Sequence, residues 1–99
     1  MDGGLRFDWD VHNVGHLARH NVQPEEAEQA LSGQIVDLDY SVTEDGEERW
    51  TAMGQTTAAR LLVIVWTVLD DGSYRTITAY PATKGLESVY HRVIRGTGT

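Results

Sequence analysis

Two sets of side chains in this sequence carry most of its capacity for chemistry. His12, His16 and His20 follow one another at i, i+4 spacing, which on a helix lets two imidazoles share a metal ion, with Asp8 nearby in sequence as a further ligand. No HExxH-type base accompanies them and no carboxylate stands at fixed helical spacing, so a solvated polar helix face is the competing reading and no metal is expected. The second set is basic: Arg49, Arg60 and Arg75 fall at or near strand ends, and Lys84, Arg92 and Arg95 belong to the final helix or its start. Guanidinium groups grip phosphate through paired hydrogen bonds, and seven of the eight basic side chains are Arg. The plainer alternative is surface arginines paired with the chain's own acids. Tyr74, Tyr80 and Tyr90 add rings and hydroxyls, although Tyr90 falls on an apolar helix stripe and reads as core. With no nucleophile motif, P-loop or GxGxxG, any catalysis has to be acid–base or electrostatic.

These groups must be positioned by the stretch 60–80, RLLVIVWTVLDDGSYRTITAY. Leu61 to Leu69 is apolar except for Thr67 and rich in β-branched residues, which predicts a central strand covered on both faces. Asp70-Asp71-Gly72-Ser73 supplies a turn and Tyr74 to Tyr80 a returning strand. Plain alternation would put Ile77 and Ala79 on its core face, and Tyr74, Thr76, Thr78 and Tyr80 on the other. Upstream, Asp10 is a good N-cap for a helix over 11–20 with Val11, Val14, Leu17 and Ala18 on its apolar side and the histidines opposite. Asn21 tolerates the left-handed conformation that ends it. Pro24-Glu25-Glu26 opens a second helix that buries Ala27, Ala30 and Leu31 and stops at Gly33. Ile35, Val36 and Leu38 begin a first strand, 39–48 reads as an acidic loop, and Arg49 to Gly54 as a second strand. After Pro81, Thr83 caps a last helix with Leu86, Val89, Tyr90, Val93 and Ile94 as its stripe. Gly96 stops that helix and leaves a short tail. The expected order is ααββββα, an α+β fold with an antiparallel four-stranded meander in one domain over 1–99, its core within 5–95.

Composition narrows the setting. The chain has no cysteine, hence no disulfide or thiolate chemistry and no pointer to an oxidising compartment. Its longest apolar run falls far short of the roughly 20 residues of a membrane helix, and the start shows no signal-peptide pattern, so a cytoplasmic location away from membranes is expected. The net charge of −7 argues against an anionic partner, but the distribution is uneven. Residues 1–48 carry a net −10 and residues 49–99 a net +3, an asymmetry that points to an anion on one surface.

Phe7-Asp8-Trp9-Asp10, the run His16 to Val22, and Pro24-Glu25-Glu26-Ala27 together resemble the opening of the BrnT toxins of type II toxin–antitoxin systems. Glu47-Glu48-Arg49-Trp50 with Met53-Gly54, then Arg60 to Val63, is similar to the family's middle strands. Arg75 to Ala79, with Ala82-Thr83, Glu87 and Tyr90, is similar to its final strand and helix. The resemblance extends over residues 7–93.

The resemblance implies a RelE-like ribonuclease sheet, RNA as substrate, no cofactor or metal, and a protein antitoxin, of the ribbon-helix-helix DNA-binding kind, that wraps the toxin. By position His20, Arg49, Arg60, Arg75, Glu87 and Tyr90 match polar residues that recur in the family. His20 would then act as base or acid, Arg49, Arg60 and Arg75 would hold the phosphate, and Tyr80 would orient it or stack a base. Lys84, Glu87, Tyr90 and Arg92 would bind substrate. The chain departs from the family's habit where an Arg is common and Tyr80-Pro81 stands, and where a His is frequent and Trp66 stands. Tyr80 cannot offset phosphate charge, so those changes favour the alternative of a non-catalytic binding or regulatory module on the same scaffold. Self-association is left open.

Overall fold

The structure, a computed structural model, describes residues 4–97. Two helices, α1 (Val11–Ala18) and α2 (Pro24–Ser32), precede four strands, β1 (Ile35–Val42), β2 (Glu48–Gln55), β3 (Leu61–Val68) and β4 (Tyr74–Pro81), and a last helix, α3 (Lys84–Thr97). The strands pair in sequence order, each antiparallel to the next, as the expected meander requires. Helix α3 continues through Gly96 to Thr97; residues 98–99 of the expected tail lie outside the described residues.

The central strand behaves as its composition predicts. Leu61 to Ile64 are all buried because both faces of β3 are covered. On one face Leu62, Ile64 and Trp66 pack with Ala52 and Ala79 against Leu17, Val22, Ala27, Ala30 and Leu31. On the other, Leu61 and Val63 join Val36 and Met53 under Tyr90, with Leu86, Val89 and Ile94 of α3 around them. Helix α2 lies so close to β2 that a Cβ on Gly54 would sit 2.3 Å from the Ala30 carbonyl oxygen, and glycine alone permits that approach.

Three expectations need correction. Strand β1 runs on to Val42, so the acidic loop shrinks to a turn within 43–47; Tyr40 packs its ring 5.7 Å from Trp50 and bonds Glu48 through its hydroxyl, holding that segment in register. In β4 the pairing slips between Thr76 and Thr78, leaving Ile77 as an extra residue. This β-bulge breaks the alternation, so Thr76 and Ala79 are fully buried while Ile77 is half-buried. In α1 the buried residues are Asn13 and Leu17, whereas Val11 is 81% exposed. The cause is Asn13: its amide donates to the Asp8 carbonyl at 2.9 Å and its side-chain oxygen accepts from the Asp10 N–H at 2.8 Å. A polar side chain satisfied in this way can be buried, so Asn13 and Leu17 form the packed side of α1 while His12, His16 and His20 stay exposed.

Candidate active site

Helix α1 is locked beside β4 by Asp10. The Asp10 carboxylate caps α1 by accepting from the His12 and Asn13 N–H groups and also pairs with Arg75 of β4 at 3.0 Å. Arg75 pairs with Asp8 as well, at 2.7 Å. The residues ahead of α1 extend the sheet: Tyr74 donates its N–H to the Arg6 carbonyl and accepts from the Asp8 N–H, at 2.7 and 2.8 Å. The Arg75 guanidinium, followed by the Asn13 N–H, holds the Asp10 carboxyl below its ordinary range. Asp10 and then Asp8 push Arg75 further up, so its charge is permanent.

The consequence is a groove. His12 and His16 line a hollow of about 160 Å³ together with Asn13, Arg75, Thr76 and Ile77. The row continues along the helix: the rings of His16 and His20 stand 6.4 Å apart, and His20 meets Tyr80 edge-on at 6.0 Å. The stripe is exposed, as expected, but it borders β4 rather than lying opposite the packed side, with Arg75 at one end and Tyr80 at the other.

Arg60 enters this row indirectly. Its Nη1 donates to both Glu26 carboxylate oxygens, at 2.9 and 3.0 Å, and to the Asn21 carbonyl at 2.8 Å. Asn21 has φ 60° and follows His20, so Arg60 clamps the α1–α2 turn that presents His20. The Gln23 N–H first, and Arg60 after it, holds the Glu26 carboxyl below its ordinary range. The three arginines do not converge. Arg49 and Arg75 flank Thr67 at one end of the sheet, about 10 Å apart by two strand spacings, and Arg60 lies at the other end, next to Leu61. Arg49 pairs with Glu47 at 2.8 Å.

The α3 residues stand apart from the groove. Tyr90 is 4% exposed, and its hydroxyl donates to the Gln34 carbonyl at 2.9 Å; burial pushes its pKa above 10.0. Lys84, Glu87 and Arg92 are exposed. Among the described residues no hydrogen bond, ion pair or ring contact joins them to the groove, and no group of three His, Asp or Glu side chains is placed to hold a metal ion.

Sequence reasoning did not single out a row of rings spanning the sheet, Tyr40–Trp50–Trp66–Tyr74–Phe7–Trp9, with neighbouring centroids 5.7 to 6.4 Å apart. Only the strand register aligns them. Trp9 also donates its indole N–H to Glu28 at 2.7 Å, tying the segment before α1 to α2.

The family model described as the ribonuclease toxin BrnT of type II toxin–antitoxin systems matches residues 9–85. The chain belongs to the BrnT family. No individual characterised protein matches it. The match to the BrnT family takes in the whole groove, from His12 to Tyr80, together with Arg49 and Arg60. It ends at residue 85, so Glu87, Tyr90 and Arg92 lie beyond it. BrnT chains are ribonuclease toxins, which gives this one RNA as its target and an antitoxin as its partner, and no helix among the described residues is long and apolar enough to cross a membrane.

Proposed function

We propose that this BrnT chain is an endoribonuclease that works without a metal ion in the α1–β4 groove, and that a cognate antitoxin silences it by covering that groove. The observation that carries the reading is the pair of imidazoles, His16 and His20, 6.4 Å apart beside β4. That separation admits a phosphodiester between the rings. One neutral imidazole takes the proton of the ribose 2′-hydroxyl as its oxygen attacks phosphorus; the other, protonated, gives its proton to the leaving 5′-oxygen as the phosphorus–oxygen bond breaks. The products are a 2′,3′-cyclic phosphate and a 5′-hydroxyl, and proton exchange with water resets the pair. Imidazole suits both roles because its ordinary pKa is about 6.5.

The other groups support this chemistry from the sides. The Tyr80 ring packs on His20 and orients it, while its hydroxyl can bond a phosphate oxygen. Arg75 uses part of its N–H fork on Asp8 and Asp10 and keeps the rest for the phosphate backbone. Arg60 positions His20 through Asn21. Arg49, Lys84 and Arg92 lie outside the groove and meet RNA as backbone contacts further along the strand. The antitoxin, a ribbon-helix-helix DNA-binding protein in this proposal, meets the toxin in the cytoplasm and offers carboxylates to Arg75 or Arg49.

One observation favours the second reading, a binding module without catalysis. Each arginine assigned to phosphate is already paired within the chain, Arg49 with Glu47, Arg60 with Glu26, and Arg75 with Asp8 and Asp10. Incubating the purified chain with mixed-sequence RNA in excess EDTA separates the two. The proposal expects fragments ending in cyclic phosphate, and none from RNA bearing 2′-O-methyl groups. Intact RNA under these conditions leaves the binding module; cleavage of the methylated RNA refutes the 2′-hydroxyl mechanism.

A further inference from the structure

The hollow at the His12 end of the groove shares His16 with the proton-transfer pair, and three features mark it as built. Its β4 wall is the bulge: Ile77, the unpaired residue, lines it beside Arg75 and Thr76, and bulges commonly re-aim side chains next to active sites. Thr76 is 0% exposed, and its hydroxyl has no hydrogen-bond partner, an arrangement that costs stability when nothing compensates. The walls are flat or apolar: two imidazoles, a guanidinium plane and an isoleucine side chain.

Charge decides what such a hollow takes. Arg75 is matched by two carboxylates, Asp8 and Asp10, so the hollow has no surplus positive charge to hold a free phosphate dianion, although the remaining Arg75 N–H groups can still reach a backbone phosphate. An uncharged planar ring is not. Unstacked RNA bases are recognised by stacking on His rings and Arg planes, with hydrogen bonds to their edges. The Thr76 hydroxyl, buried behind the wall without a partner, can donate or accept once the wall opens to a base edge. Asn13 serves as wall, since both ends of its amide are bonded to the 8–10 segment. A volume of about 160 Å³ is close to that of an engineered cavity of roughly 150 Å³ that takes one benzene, the scale of one ring system rather than a base pair.

We propose that the hollow formed by His12, His16, Arg75, Thr76 and Ile77 is a nucleobase subsite that takes one unstacked base of the RNA, from the nucleotide adjoining the phosphate held between His16 and His20. The inference rests on the ribonuclease reading for its place in the reaction, but base binding can be measured without cleavage.

The test titrates the purified chain with adenosine, guanosine, cytidine and uridine, none of which carries phosphate, and follows the His12 and His16 ring signals by NMR. Inorganic phosphate and ribose are the controls. At least one nucleoside should shift both imidazoles saturably, with neither control doing so. Thr76→Val keeps the shape and removes the hydroxyl; it should weaken that nucleoside about 3- to 10-fold, the worth of one neutral hydrogen bond. It replaces an unpaired buried hydroxyl with a methyl, so its thermal stability should not fall. His12→Ala, an exposed site, should weaken binding too. No saturable shift with any nucleoside overturns the subsite, as does a shift with phosphate alone, or unchanged affinity in both variants. Nucleoside binding by a chain that leaves RNA intact refutes the ribonuclease reading and keeps base recognition; cleavage without nucleoside binding does the reverse.

Discussion

Replacing Arg60 separates a positioning role from a phosphate-binding role. Its Nη1 makes three short contacts, two to Glu26 and one to the Asn21 carbonyl, and the two side chains of the pair are 29% and 25% exposed. Hydrogen bonds to charged groups contribute about 1.5–3 kcal/mol when well shielded, whereas exposed ion pairs contribute about 0–1 kcal/mol. Partial exposure places the whole contact at about 1–2 kcal/mol. At about 4–8 °C per kcal/mol for a domain of this size, Arg60→Ala should lower Tm by about 4–16 °C. The freed turn lets His20 drift, and a misplacement of about 1 Å can cost about 10²-fold in rate. Cleavage kinetics should therefore show a large fall in kcat with KM little changed. Arg60→Lys, which keeps the charge and loses the fork, should fall between wild type and Arg60→Ala in Tm. An Arg60→Ala protein that melts like wild type but shows a raised KM would refute the reasoning and make Arg60 a direct phosphate contact.

Three further outcomes are expected. Tyr90→Phe removes only the hydrogen bond to Gln34, so it should cost about 1 kcal/mol of stability in denaturant unfolding and leave RNA cleavage unchanged; lost cleavage with intact stability would restore Tyr90 as a substrate contact. The folded pKa of Asp10 is depressed below its ordinary 3.8, so its contacts stabilise the fold fully above that value and are lost as pH falls through the lower folded value. Asp10→Asn should flatten that acid limb of stability measured against pH, and an unchanged limb would mean the Arg75 contact contributes nothing. Tyr80→Arg sets a guanidinium beside His20, and on the scale of one oxyanion donor it should raise the single-turnover rate by about 10²-fold; a rate no higher than wild type would place the phosphate elsewhere.

The element order was legible because each element carries its own signal. The β-branched run of β3, the Asp10 cap of α1, Pro24 at the start of α2 and the α3 stripe are all local. What stayed hidden depends on pairing across distance. Nothing near Ile77 announces a bulge, which only the fit of β4 to β3 creates. Asn13 reads as a polar helix position until its partners at Asp8 and Asp10 are known, and without them the histidine stripe reads as lying opposite the packed side. Of the candidate site, His20 and Tyr80 were visible and do meet. In the sequence His16 reads as part of a solvated helix face or a metal stripe, plain alternation places Thr76 on the open face, and Arg60 reads as a phosphate ligand, whereas its contacts go to Glu26 and Asn21.

The imidazole pair, His16 and His20, carries the proposed catalysis. Its most direct test is the single-turnover cleavage rate in excess EDTA for wild type, His16→Ala, His20→Ala and the double variant. General acid and base groups contribute about 10²–10⁴-fold, and groups that act as a unit are strongly non-additive. Each single variant should lose at least about 10²-fold, and the double variant should be little worse than either. A double variant that cleaves at the wild-type rate would contradict the claim, as would activity that appears only when a divalent metal is added.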